Sequence, residues 1–363
     1  MSREKRKLSE DLERDALPPV EEYLSTGSTI LDLAIADRFP GGIGVGRVTH
    51  IYGPESTAKS VLAQEVLGAA QRQGGYAVYE DSEMTLDLQR AQALFGLKTG
   101  SWREEGVADK YLEGRLSECL NVADHFAYRV PRSIEALWDE ELADLVQARE
   151  DDAIPAPVAV AVDTFSAIPS EAELKAEMTD GTYGTSRAKQ MSTGFRKWLR
   201  RLSEARIAVV AVDQIRDNVG VQWGDKTTVS GGRAMKFYAS TRVQMTGAKP
   251  IKNKNDRIYG VKIGFKVKKN KVGPPFREGL VRILFDYGID DVTSNVEWLS
   301  EQDVLSQVEK KGAWWSFADI KQQGLEKLVC AIEDAGLEDE LRQEVVRVWA
   351  IVHEAPKRKV RER

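Results

Sequence analysis

At 363 residues, with 42% hydrophobic and 30% charged residues, the chain is too long for one small core and ordinary for a soluble globular protein, so a large α/β domain with smaller companions is expected. No apolar run approaches the ~20 residues of a membrane span, and the N-terminal MSREKRKLSEDLERDA lacks the features of a secretory signal, so a cytoplasmic protein with no membrane partner is expected. The net charge of −5 argues mildly against a chain coated in nucleic acid, and Cys119 and Cys330 stand outside any C-x-x-C or Cys/His grouping, so neither a disulfide framework nor a zinc site is supported.

Residues 2–14 alternate charges at helical spacing until LPPV (17–20) breaks the pattern, so a short N-terminal helical arm occupies about 1–24. RVTHIYG (47–53) reads as a strand, GPESTAKS (53–60) as a glycine-led loop, and SVLAQEVLGAAQRQ (60–73) as a helix closed by Gly74 and Gly75. YAVYEDSE (76–83) is the next strand, and 97–130 is polar and irregular, an insertion or elaborated connection. Acidic residues crowd 135–152, namely Glu135, Asp139, Glu140, Glu141, Asp144, Glu150, Asp151 and Asp152. VAVAVDTFSAI (158–168) and IAVVAVDQI (207–215) are continuous apolar runs, as in strands buried on both faces. The pattern predicts a mainly parallel sheet covered by helices, with its ligand at the carboxyl ends of the strands.

The segment 216–240 carries glycines at 220, 224, 231 and 232 and Trp223; a loop of this kind is either functional or an ordinary surface loop. From Lys249 to Lys271 nine Lys/Arg face only Asp256, a strip suited to a phosphate backbone or simply a solvated hairpin. Beyond about 293, EQDVLSQVEKKG (301–312) and LEKLVCAIEDAG (325–336) read as short helices of a small α-rich domain over 294–355, and 356–363 is a basic tail.

GPESTAKS fits the phosphate-loop pattern G-x-x-x-x-G-K-[ST] at Gly53, Lys59 and Ser60, but Ala58 holds the second glycine position. In such a loop the backbone of Gly53, Pro54, Glu55, Ser56, Thr57 and Ala58 and the helix N-terminus surround phosphate, Lys59 supplies charge and Ser60 binds magnesium. If position 58 needs a left-handed backbone, alanine costs on the order of 1 kcal/mol. Asp163, ending its strand, is a magnesium ligand or a helix cap; Glu83 polarises an attacking water or is a solvated acid beside Glu80 and Asp81. Gln214 could donate to a γ-phosphate or be a loop polar residue, and Arg187, Arg196, Lys197, Arg216 and Arg233 could form a nucleic-acid surface.

The phrases STGSTILDLAI, RVTHIYGPESTAKS, EDSEMTLD, VAVDTFSAIPSEAELKAE, QIRDNVGVQWGD, SGGRAMKFYAS, VKKNKVGPPF and EKKGAWWSF, in this order over about residues 25–320, resemble a RecA-type recombinase of the divergent kind found in phages or mobile elements. The resemblance implies an α/β fold: a RecA-type P-loop ATPase core over 25–293, an N-terminal arm serving oligomerisation, and a small C-terminal domain. It implies ATP and Mg2+, with Lys59 and Ser60 at phosphate and metal, Glu83 catalytic, Asp163 a metal ligand and Gln214 a γ-phosphate sensor. Asp87 and Phe285 would meet the adenine, with Arg90 where the family usually has tyrosine and Pro275 nearby; Lys269 and Lys271 would reach a neighbouring subunit's γ-phosphate. DNA loops would lie at about 173–184 and 216–230, involving Tyr183, Arg187, Arg196, Arg216, Val219, Gly220, Val221, Trp223, Gly231, Gly232 and Arg233.

The expected function is an ATP-dependent DNA recombinase that forms helical homo-oligomeric filaments on single-stranded DNA and pairs it with homologous double-stranded DNA. Single-strand-binding or loader proteins are further candidate partners. The alternatives are a nucleotide-gated DNA-binding filament with little turnover, signalled by Ala58, and a ring-forming motor, against which the two DNA loops and VKKNK speak.

Overall fold

The computed structural model describes residues 17–98, 125–175, 184–217, 227–229 and 234–354. The arm expected at 2–14, most of 97–130 and the basic tail lie outside them. Fifteen strands are described: β1 (Tyr23–Leu24), β2 (Ile43–Gly44), β3 (Val48–Gly53), β4 (Tyr76–Asp81), β5 (Phe126–Arg129), β6 (Val158–Asp163), β7 (Ile207–Asp217), β8 (Thr227–Val229), β9 (Thr241–Lys252), β10 (Ile258–Asn270), β11 (Glu278–Leu284), β12 (Gly288–Ile289), β13 (Glu309–Lys311), β14 (Trp314–Phe317) and β15 (Ile320–Gln323). The central sheet runs β12-β11-β10-β9-β3-β7-β6-β4-β5, with β8 paired to β7. From β9 to β5 every pair on this path is parallel, and β10, β11 and β12 continue it antiparallel.

The parallel half is what the continuous apolar runs predict, because both faces are covered. Every residue of β3, β4 and β6 is buried. On one face Leu62, Val66 and Leu67 of the Lys59–Arg72 helix pack with Ala159, Ala161, Ala208 and Val210. On the other, Phe195, Trp198 and Leu202 of the Gly184–Glu204 helix pack with Val48, Val160, Val209 and Ala211. Register brings the carboxyl ends together: Gly53 stands opposite Gln214, and Asp163 lies between Asp81 and Val212. A crevice outside strand ends is where such sheets place ligands.

Two expectations need correction. The irregular stretch read through residue 130 ends earlier, because Phe126–Arg129 adds an edge strand parallel to β4. EQDVLSQVEKKG is not a helix: Glu309–Lys311 is β13, which turns at Gly312 (φ 62) into Trp314–Phe317. Only glycine adopts that left-handed turn freely, so the hairpin overrides helical spacing. The C-terminal part is therefore a three-stranded antiparallel sheet with helices Leu325–Asp334 and Glu338–Val352, not purely helical. Its Phe317, Leu328, Val345 and Trp349 belong to the same apolar cluster as the main sheet.

Candidate nucleotide site

β3 delivers the chain into the loop, and the Lys59–Arg72 helix leaves it. At Gly53 an added Cβ would stand 2.5 Å from the Met245 carbonyl oxygen of β9, so only glycine fits. Ala58 has φ 56° and ψ 27°, the left-handed conformation, and makes no side-chain cap to the helix. The first-turn N–H groups lack that side-chain partner and remain available to an anion at a helix N-terminus. The second-glycine position thus does require a left-handed backbone, and the alanine adopts it. Pro54 O accepts from Thr57 Oγ1 at 2.7 Å and from Lys59 Nζ at 2.6 Å, folding the ammonium back over the loop. Burial pushes the Lys59 pKa down, while Asp163, Glu83 and Glu55 pull it up.

Asp163 ends β6 buried. It accepts a hydrogen bond from Ser60, the residue after Lys59, and another from Tyr79 Oη at 2.8 Å. Burial raises its pKa against those hydrogen bonds. A carboxylate short of compensation beside a hydroxyl suits a hard, oxygen-seeking cation, so the residues fit magnesium. Among the described residues no group of three or more His, Cys, Asp or Glu gathers for a metal, so remaining ligands would come from nucleotide and water. Glu83 is exposed and is held beside this carboxylate by Thr164, whose Oγ1 donates to Glu83 Oε1 at 3.0 Å.

Gln214 is half-buried on β7, directly across from Gly53. Further out, Asp87 caps the Leu88–Phe95 helix by accepting from Arg90 N, and Arg90 Nη2 reaches Phe285 O at 3.2 Å. Arg90, Leu94, Phe285 and Asp286 line one shallow pocket. The structure thus brings Asp87, Arg90 and Phe285 together. It places Pro275 elsewhere, in the link between β10 and β11.

Lys269 pairs across β9 with Arg242, and Arg242 pairs with His50, three residues short of Gly53. At ~3.3 Å per residue and ~4.8 Å per strand, its Cα lies about 10 Å back and 10 Å across from the loop. Lys271 and Pro275 follow in the link beyond, toward the end of the sheet opposite the loop. Lys269 Nζ donates to Phe237 O at 2.7 Å and Lys236 O at 3.0 Å, and burial, then Lys271 and Arg242, push its pKa down to about 8. Three others of the nine basic residues in the strip form ion pairs: Lys252 with Asp256, Lys262 with Glu297 and Lys266 with Glu278.

Of the DNA-contact candidates, Tyr183, Val219, Gly220, Val221, Trp223, Gly231, Gly232 and Arg233 lie outside the described residues, and Arg216 is described only as backbone in β7. Arg187 is turned inward, with Nη1 donating to Ser166 O at 2.8 Å. Arg196 bonds Ser192 O on its own helix, and Lys197 pairs with Asp139 of the acidic run at 2.7 Å. Sequence reading missed Thr164 and Tyr79, which orient Glu83 and Asp163, and a buried group of His50, Asp213 and Arg242 beneath the loop. Thr164 follows the strand-end aspartate directly, a position that signals it; the others meet only through strand register.

A loop between a buried strand and a helix, with lysine, serine and a strand-end aspartate converging, defines a P-loop nucleotide-binding fold on a mainly parallel sheet. A family model of the RecA N-terminal domain matches residues 12–101 and 150–290. Protein RecA of Thermus thermophilus is 36% identical over 328 residues, covering 90% of this chain and 85% of that protein. Protein RecA of Trichodesmium erythraeum is 33% identical over 88% of this chain and 78% of its own length, and that of Thioalkalivibrio sulfidiphilus 35% identical over 82% and 75%. The chain belongs to the RecA family.

Proposed function

We propose that the protein is a DNA-dependent ATPase and recombinase whose filaments on single-stranded DNA pair it with a homologous duplex. The observation that carries this reading is the convergence of Lys59, Ser60, Asp163 and Glu83 at one set of strand ends, with Glu83 tethered by Thr164. Lys59 and the loop backbone hold the phosphates, Glu83 orients and takes a proton from the attacking water, and Gln214 senses the γ-phosphate. Ser60 and Asp163 would hold magnesium, which when bound neutralises charge on the phosphate oxygens. Lys269, set away from its own loop, serves the neighbouring subunit, so turnover requires assembly. Residues 173–184 and 216–230 are the proposed DNA loops.

Measuring ATP turnover with and without single-stranded DNA tests this. DNA-stimulated turnover that Lys59→Ala abolishes, with helical filaments in negative-stain images, is expected; rings or monomers on DNA would defeat it. The left-handed Ala58 favours one second reading, a nucleotide-gated DNA-binding filament with little hydrolysis, which DNA-dependent assembly without turnover would support.

A further inference from the structure

Beneath the loop, on the sheet face covered by the Gly184–Glu204 helix, three neighbouring strands bury His50, Asp213 and Arg242. His50 and Asp213 are 0% exposed and Arg242 8%. Arg242 Nε donates to His50 Nδ1 at 3.2 Å, so that nitrogen carries no proton. The proton is on Nε2, which donates to Asp213 Oδ2 at 2.9 Å. Asp213 Oδ1 accepts from Ser166 N at 2.7 Å, and Ser166 O accepts from Arg187 at 2.8 Å. Tyr52 stacks on the imidazole with 4.8 Å between ring centroids, and the Arg242 guanidinium lies 4.3 Å from the Tyr52 ring. The bonds therefore run donor to acceptor from Arg242 through His50 to Asp213, and the Arg242 and Asp213 charges flank a neutral ring.

What the relay joins gives it meaning. Arg242 faces Lys269 across the β9–β10 pairing, and Lys269 is held by carbonyls of the Ala234–Tyr238 helix, which follows the 216–230 segment. Asp213 immediately precedes Gln214. Ser166 lies three residues after Asp163, and Arg187 stands on the helix that follows the 173–184 segment. Hydrogen bonds thus join Arg242, His50, Asp213, Ser166 and Arg187, while Lys269 adjoins Arg242 by strand pairing and Gln214 adjoins Asp213 along the chain.

We propose that the Arg242–His50–Asp213–Ser166 relay is a positioning device that couples the strand bearing Lys269 to Gln214 and to the turn after Asp163, so that loop engagement by DNA is felt at the phosphate site. The proposal rests on the proposed function and assigns these side chains no contact with nucleotide; they act through Gln214 and Lys269. A polar network in a low-dielectric interior has only a few self-consistent arrangements, which suits it to this task.

The relay's polarity supplies the test. Asp213→Asn sets an amide N–H against the imidazole N–H and leaves the Arg242 charge uncompensated; His50→Glu sets two carboxylates together. In the double variant the carboxylate placed at 50 accepts from Arg242 and from the amide placed at 213, whose oxygen still accepts from Ser166, and the charges cancel again. DNA-stimulated turnover should fall about tenfold in Asp213→Asn, while basal turnover and affinity for a non-hydrolysable ATP analogue stay within about threefold, and the double variant should recover to within about threefold of the parent. Unchanged stimulation in Asp213→Asn, or a double variant no better than the product of the singles, overturns the relay. So does loss of basal turnover in step with stimulation, which marks a merely structural role.

A wild-type chain without DNA-stimulated turnover would instead remove the proposed function, and a second measurement then decides the relay. In 15N-histidine magnetic resonance on the wild-type chain, where His50 is one of three histidines, its ring should stay the neutral Nε2–H tautomer from roughly pH 5.5 to 8.5. A ring that titrates in that range, or that carries its proton on Nδ1, overturns the relay whatever the turnover data show.

Discussion

Ala58 shows how a substitution that breaks a motif can leave the site standing. Its φ of 56° is the left-handed region, which a side chain enters at roughly 1–2 kcal/mol. The loop holds it there because the strand before and the helix after fix both ends. Ala58→Gly removes that strain but makes the unfolded chain more flexible, an opposing effect of about 0.5–1 kcal/mol. The expected result is a small gain or no change in thermal midpoint, with ATP affinity or kcat raised modestly. A large loss of activity in a chain that still folds would show that the methyl takes part in the mechanism. Lys59, Ser60 and the strand-end Asp163 were legible because the loop's chemistry sits in eight consecutive residues and one strand terminus. Arg242, His50 and Asp213 were not. Each sits alone in a strand pattern, and a lone histidine in an apolar run looks like a core residue until register sets it beside its partners.

At the level of elements, the long helix Gly184–Glu204 joins the two halves of the proposed DNA surface and rests on Trp138. A Cβ at Gly194 would stand 2.3 Å from Trp138 Nε1 and 2.4 Å from Cδ1 of a ring packed edge-on to Phe195 at 4.8 Å. Trp138 is 2% exposed and enclosed, with Phe165 a further neighbour, so the ring has little room to retreat. Gly194→Ala should lower stability by about 1–3 kcal/mol, the usual range for overpacking, seen as a lower urea midpoint at unchanged slope. An unchanged midpoint would show that the helix can shift away from the tryptophan. Periodicity found this helix's neighbours in the sheet because continuous apolar strands leave few other folds. It missed β13–β15, where three short strands turn at Gly312 and at Ala318 and alternate too briefly to outweigh helical spacing. It also missed β5, a four-residue edge strand at the end of a polar stretch.

For the whole molecule, Lys269 stands two strands over and three residues back from the phosphate loop on one sheet, and this makes a mixing experiment decisive. A chain carrying Lys59→Ala keeps an intact Lys269; a chain carrying Lys269→Ala keeps an intact loop. Each variant alone should show little DNA-stimulated turnover. Mixed on single-stranded DNA they should recover a substantial fraction, because a complete site forms wherever the loop of one meets the lysine of the other. A mixture as inactive as its components would place Lys269 in its own subunit's site or outside catalysis.

With Lys269 serving a neighbouring subunit as proposed, the number of complete sites follows from how subunits join. A head-to-tail contact that does not close on itself leaves an open chain of subunits, and one end always presents a loop with no lysine to complete it. Such an assembly holds one fewer working site than it has members. Turnover per subunit should therefore climb with oligonucleotide length and level off, and the two ends should differ in how readily they shed a subunit. Direction along the DNA would then follow from which face of the molecule happens to be last.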